Sequence, residues 1–129
     1  MSINYKLVKQ ATPGVKGGGA YKYYVRACDR KKASLYDVAA KLSERSTLSR
    51  VDVVGVLTGL ADLIPELLLD NQTVDLGELG IFSLHLKSGA ADEPRIDAYR
   101  LIKGVQIHFK IGKELKDAVR SPDFVKSKN

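Results

Sequence analysis

The stretch RVDVVGVLTGLADLIPELLLDNQ, residues 50–72, constrains this chain more than any other. Its apolar residues recur at helical spacing: Val53, Val56, Leu57, Leu60, Leu63, Ile64, Leu67 and Leu68. Val54, Ala61 and Leu69 widen the stripe well past one face. A helix apolar over so much of its circumference has to be covered on more than one side. With 129 residues the chain has room for one compact domain and a small core. In a chain this short, a second subunit is a natural cover.

Signals on either side set the helix ends. Ser49 followed by Asp52 has capping-box form and opens the long helix. Pro65 removes one backbone hydrogen bond and predicts a kink in the last turns, before Asp70, Asn71 and Gln72 end the helix. Upstream, Leu35, Val38, Ala39 and Leu42 keep the same period, and Ser34 with Asp37 starts that shorter helix near Leu35. Ser46 and Thr47 mark the turn between the two.

Downstream the period changes from helix to strand. Gly77 and Gly80 predict a tight turn into a strand with Phe82, Leu84 and Leu86 on one side and Ser83, His85 and Lys87 on the other. In residues 103–111, Val105, Ile107, Phe109 and Ile111 lie opposite Gln106, His108 and Lys110. The two segments enclose SGAADEPRIDAYR, residues 88–100, and are expected to form a long antiparallel ribbon. At its far end DAYRLIKG is read as a bend or a helical turn. GKELKDAVR closes as a short helix with Leu115, Ala118 and Val119 inward, and residues 121–129 read as a tail stopped by Pro122.

The first 32 residues alternate as strands. Ile3, Tyr5 and Leu7 share one side, and Tyr21, Tyr23, Val25 and Ala27 share another, opposite Lys22, Tyr24 and Arg26. ATPGVKGGGA between them is a flexible connection. Tyrosines interleaved with Lys and Arg suit stacking of nucleic-acid bases. The commoner use of such a strand is to cover a sheet edge with its tyrosines packed.

The net charge of +6 is unevenly placed. Residues 1–32 carry eight Lys/Arg and one acid, so +7; residues 33–83 carry three and eight, so −5; residues 84–129 carry ten and six, so +4. Basic faces meet phosphate or other anionic surfaces when they are not simply solvated.

Enzyme chemistry finds little support. Two histidines and one cysteine make no zinc-type cluster, and no Gly-Lys-Ser/Thr follows GVKGGGA to make a phosphate loop. Asp92 and Glu93 are adjacent and diverge on a strand, which does not suit a general acid/base pair. His85 and His108 are neighbours on the ribbon's polar face but supply two ligands only. Cys28 takes no role, and a lone cysteine suits a reducing compartment. No apolar run approaches the roughly 18 residues of a membrane span, and MSINYKLVKQ lacks the apolar core of a secretory signal. The expectation is a soluble cytoplasmic protein that is not an enzyme, with no cofactor, no metal, no membrane and no small-molecule substrate.

LGELGIFSL and FKIGKELKDAV resemble the ribbon entry, and the ribbon exit with last helix, of the bacterial histone-like HU and integration host factor family. That family typically shows Phe-Lys-Pro-Gly-Lys followed by Leu-Lys. Phe109, Lys110, Gly112, Lys113, Leu115 and Lys116 match, with Ile111 in place of proline. SLYDVAAKLSERSTLSRVDV is similar to the family's first helix and its turn into the second. The resemblance covers about residues 33–120. With YKYYVRA before the first helix, the chain resembles most the N-terminally extended HU-related proteins of Bacteroidetes.

The resemblance implies an α+β fold and an intertwined homodimer. Its helices form a base, an antiparallel sheet lies over them, and two-stranded arms protrude around a duplex. The organisation expected is an N-terminal strand extension at 1–32, an HU-like domain at 33–120 and a tail at 121–129. Minor-groove architectural binding, for which this family is itself a standard example, is the implied function. The partner would be double-stranded DNA in the bacterial nucleoid, bent or compacted through its backbone. The implied DNA-binding residues are Lys87, Pro94, Arg95, Arg100, Lys103, His108, Lys110, Lys113 and Lys116, with His85 on the same ribbon surface. In the family a proline near each arm tip wedges between base pairs. Pro94 and Arg95 stand in that place, but ADEPRID replaces a basic Arg-Asn-Pro tip. Those acids leave open a second reading, an HU-like structural or protein-interaction module with weak or lost DNA binding. Single-strand or RNA binding through Tyr21, Tyr23 and Tyr24 is a third.

Overall fold

The computed structural model describes residues 1–11, 19–94 and 96–128; most of the glycine-rich connection, and Arg95, lie outside the described residues. The elements run β1 (Ser2–Ala11), β2 (Tyr21–Ala27), α1 (Leu35–Glu44), α2 (Arg50–Leu69), β3 (Val74–Asp75), β4 (Gly80–Ser88), a 3-10 turn (Ala98–Leu101), β5 (Ile102–Ile111), α3 (Lys113–Ala118) and β6 (Asp123–Lys126). The fold is α+β. The chain divides into two compact units, one of Leu35–Ala118 and one of Met1–Ser34 with Val119–Asn129.

In the unit Leu35–Ala118, the cap of α2 acts where the sequence places it. The Asp52 backbone N–H donates to Ser49 Oγ at 3.1 Å, and the Ser49 backbone N–H donates back to Asp52 Oδ2 at 3.4 Å, closing a capping box. α2 continues through Pro65 to Leu69. It ends on Asn71 in the left-handed region (φ 60°), with Gln72 N–H donating to the Leu67 carbonyl at 3.2 Å. Asparagine tolerates that conformation better than other residues with a Cβ, which is why the helix stops there.

α1 packs on α2, and α2 meets β3 and β4. The buried apolar side chains of this unit are few: Ala39, Val53, Leu68 and Val74. Leu57, Leu60, Ile64 and Leu67 are half-buried, while Val56 and Leu63 on the wide face of α2 are exposed. Leu115 and Val119, read from sequence as the inner side of the last helix, are exposed as well. They have the spacing of a covered face, but both stand exposed.

The sheet of this unit has the order β3-β4-β5, with both pairings antiparallel. Gly77 (φ 66°) makes the turn into β4, its N–H held by Asp75 Oδ1 at 2.8 Å. At the other end, an added Cβ on Gly112 would overlap the Glu78 carbonyl oxygen. Gly112 N–H donates to the Leu79 carbonyl at 3.0 Å, so this close approach fastens the β5 exit to the β4 entry.

In the other unit β1 is central, antiparallel to β2 and parallel to β6. Residues 123–126, read from sequence as part of a tail, form β6 with Ile3 beside Phe124 and Tyr5 beside Lys126. A four-residue strand after Pro122 has no local signal, because its stability comes from a partner far away in sequence. Tyr21, Tyr23 and Tyr24 on β2 are exposed, so the expectation of tyrosines packed over a sheet edge is corrected. β2 is an edge strand of its sheet, with β1 on one side.

Candidate nucleic-acid interface

The ribbon of β4 and β5 places the candidate side chains by strand parity alone. Ser83 pairs with His108, His85 with Gln106, Lys87 with Gly104 and Ile81 with Lys110, so these residues share one face. The opposite face carries Phe82, Leu84 and Leu86 against Phe109, Ile107 and Val105. The Phe82 and Phe109 rings stack at 4.5 Å between centroids, which pins the register.

On the polar face the His85 and His108 rings lie 4.0 Å apart and tilted by 36°. Ser83 Oγ is 3.1 Å from His85 Nε2. Lys87 stands opposite glycine and is exposed, and Lys110 is exposed at the root end. Two lysines thus bracket a pair of imidazoles along one surface. The alternation that located the lysines also carries Ser83 and Gln106, which complete this face. Among the described residues no group of three or more His, Cys, Asp or Glu is placed to hold a metal ion.

Lys113 and Lys116 are both exposed on α3, which begins directly after Gly112, and Lys116 N–H donates to the Gly112 carbonyl at 3.1 Å. The Gly112 contact therefore sets where these two cations stand relative to Lys110. Lys103 sits at a register shift, where Lys87 pairs with Gly104 and Ser88 with Ile102. A Cβ on Gly89 would lie 3.4 Å from Lys103 Cε, so the lysine stem runs beside that glycine.

Beyond the ribbon, residues 98–101 form the 3-10 turn, as the sequence reading of a bend or helical turn allows. Arg100 Nε is 3.6 Å from Asp97 Oδ2 in an exposed ion pair, a partner the sequence reading did not assign. Its charge is shared with an acid of its own loop. Pro94 is exposed beside Ala91, Asp92 and Glu93, which line a shallow open concavity with Ala90. Arg95 lies outside the described residues. The geometry groups His85, Lys87, His108 and Lys110 on one ribbon face, with Lys113 and Lys116 at its root. The tip, by contrast, presents acids beside its proline.

A family model described as an HU domain fused to wHTH, Ig, or glycine-rich motif (HU-HIG) matches residues 1–126. No curated protein matches the chain. Among solved structures, the fold is similar to a bacterial protein put forward as DNA-binding, from Bacteroides vulgatus ATCC 8482. The TM-score is 0.62 at 12% identity, covering 98% of this chain and 50% of the other. The chain thus spans half the length of that protein.

Proposed function

The chain belongs to the HU-HIG family, and on that premise we propose that it is a dimeric, non-enzymatic architectural protein of the bacterial nucleoid. It bends or compacts duplex DNA through the backbone. The observation that carries this reading is the ribbon, a two-stranded arm with Lys87, His85, His108 and Lys110 along one face. Lysine neutralises phosphate as a point charge and releases counterions, which gives affinity without reading bases. None of these side chains offers a bidentate fork to a base edge, so binding is largely independent of sequence.

Exposed apolar surface supports the dimer. Apolar side chains of the unit Leu35–Ala118 stand exposed. Val56 and Leu63 on α2, the apolar ribbon face and Leu115 on α3 are part of that surface. A second copy removes them from water, and a two-fold arrangement gives two arms for one duplex.

Charge reversal tests the site. Lys110→Glu with Lys113→Glu lowers duplex affinity by at least about tenfold at low salt if the ribbon root touches phosphate. Unchanged affinity in that variant contradicts the reading. It favours instead an HU-like protein-interaction module, which the exposed Asp92 and Glu93 and the Asp97–Arg100 pair support.

A further inference from the structure

The positive charge of this protein does not reside mainly in the HU-like unit. Met1–Ser34 with Val119–Asn129 carries eleven Lys/Arg against two acids, +9, whereas Leu35–Ala118 carries ten against thirteen, −3. The excess cation belongs to the three-stranded sheet unit, which no part of the ribbon reading uses.

One face of that sheet combines lysines with exposed rings, and the exposed Leu7–Val25 pair lies between them. Strand pairing places Lys9 beside Tyr23, Ala11 beside Tyr21, Ile3 beside Phe124 and Tyr5 beside Lys126, all on the same side. Tyr21 is 60% exposed, Tyr23 67% and Phe124 63%. Lys9 Nζ lies over one face of the Tyr21 ring, 4.8 Å from its centre, in a cation–π contact that an incoming base would displace or leave on the far side. Tyr21 and Tyr23 are two residues apart, about 6.8 Å along the strand, a separation that successive bases of an extended single strand can bridge. Arg26, Lys22 and Lys6 on the reverse face add to the potential that draws a polyanion to this unit.

We infer that this sheet face is a separate binding surface for single-stranded nucleic acid. Bases stack on Tyr21, Tyr23 and Phe124, while Lys9 and Lys126 neutralise phosphates. A duplex presents no open base faces to the rings, so they discriminate in favour of a single strand. Pairing of the face with a second copy of itself is disfavoured, because it sets the lysines of one +9 unit against those of another. The surface lies outside the proposed duplex site and does not depend on it.

The test measures fluorescence anisotropy of the full chain with labelled oligothymidylate, oligouridylate and a duplex of equal length. Tyr21→Ala with Tyr23→Ala lowers affinity for both single strands by about 30-fold and leaves duplex affinity unchanged. Tyr21→Phe with Tyr23→Phe keeps single-strand affinity, since the stacking ring remains. Loss of neither, or equal loss for single strand and duplex, overturns the inference, as does a change in oligomeric mass on removing the rings. A measurement on the unaltered chain guards against misfolding of the variant. Ultraviolet crosslinks from a bromouracil-substituted single strand map to residues 21–27 or 123–126, and crosslinks confined to residues 80–118 overturn the inference. Failure of the duplex reading appears separately, as unchanged duplex affinity in the Lys110→Glu, Lys113→Glu variant.

Discussion

Val56→Asp probes the cover over α2. Val56 is 60% exposed in the single chain, so the substitution disturbs little within one copy. In a dimer closed over this face the side chain is buried, and two-fold symmetry places it there twice. Losing the buried valine surface costs about 1 kcal/mol per copy, since full burial of such a side chain is worth about 1.5–3 kcal/mol. The introduced carboxyl escapes burial as an ion by taking up a proton, which at pH 7 costs about 4 kcal/mol against an ordinary carboxyl pKa near 3.9. The sum is about 5 kcal/mol per copy and about 10 kcal/mol per dimer, or roughly seven orders of magnitude in dimer Kd. Half of that dissociates a nanomolar dimer at micromolar protein. Sedimentation velocity over a concentration series, with thermal unfolding alongside, reads the result as monomers or unfolded chain. Val56→Thr, which keeps the shape and adds one hydroxyl able to bond within the helix, gives an intermediate loss. A Val56→Asp protein that stays dimeric with unchanged Tm refutes the assignment of this face to the dimer.

Other perturbations address the remaining parts. Gly112→Ala forces its Cβ into the Glu78 carbonyl and strains the Gly112–Leu79 hydrogen bond; a loss of about 2–4 kcal/mol in denaturant unfolding is expected. Ser49→Ala removes the capping box of α2 and lowers stability by about 1 kcal/mol in the same assay. Asp92→Ala with Glu93→Ala removes two exposed acids from the tip and tightens duplex binding in low-salt anisotropy if the tip reaches the backbone. Unchanged affinity there means that the tip stays clear of the DNA.

Features set by local chemistry were legible in the sequence. Ser49 and Asp52 announce the α2 start because a cap is a contact between residues three apart. The faces of β4 and β5 follow from strict alternation, and the structure pairs Phe82 with Phe109 and His108 with Ser83 on opposite sides as that alternation requires. What escaped depends on distant partners. β6 owes its existence to Ser2–Tyr5, some 120 residues earlier, and a four-residue run cannot announce a parallel partner. Tyr21 and Tyr23 are exposed, and alternation assigns them to a face without encoding whether that face is covered. Phe124 and Lys126 join the tyrosines' face only through that same unforeseen strand. At the candidate site, parity identified the ribbon lysines, but the Arg100–Asp97 pair needed the 3-10 turn to bring the two together. Leu115 and Val119 keep the spacing of an inner face, and both are exposed.

Duplex binding across a salt series tests the central claim most directly. Lys87, Lys110 and Lys113 from each of two copies would engage about six phosphates, giving a log–log slope near −5. Steep, linear weakening with salt, reduced in slope by Lys110→Glu with Lys113→Glu, is the predicted result. No duplex binding at low salt, or binding indifferent to salt, contradicts the account.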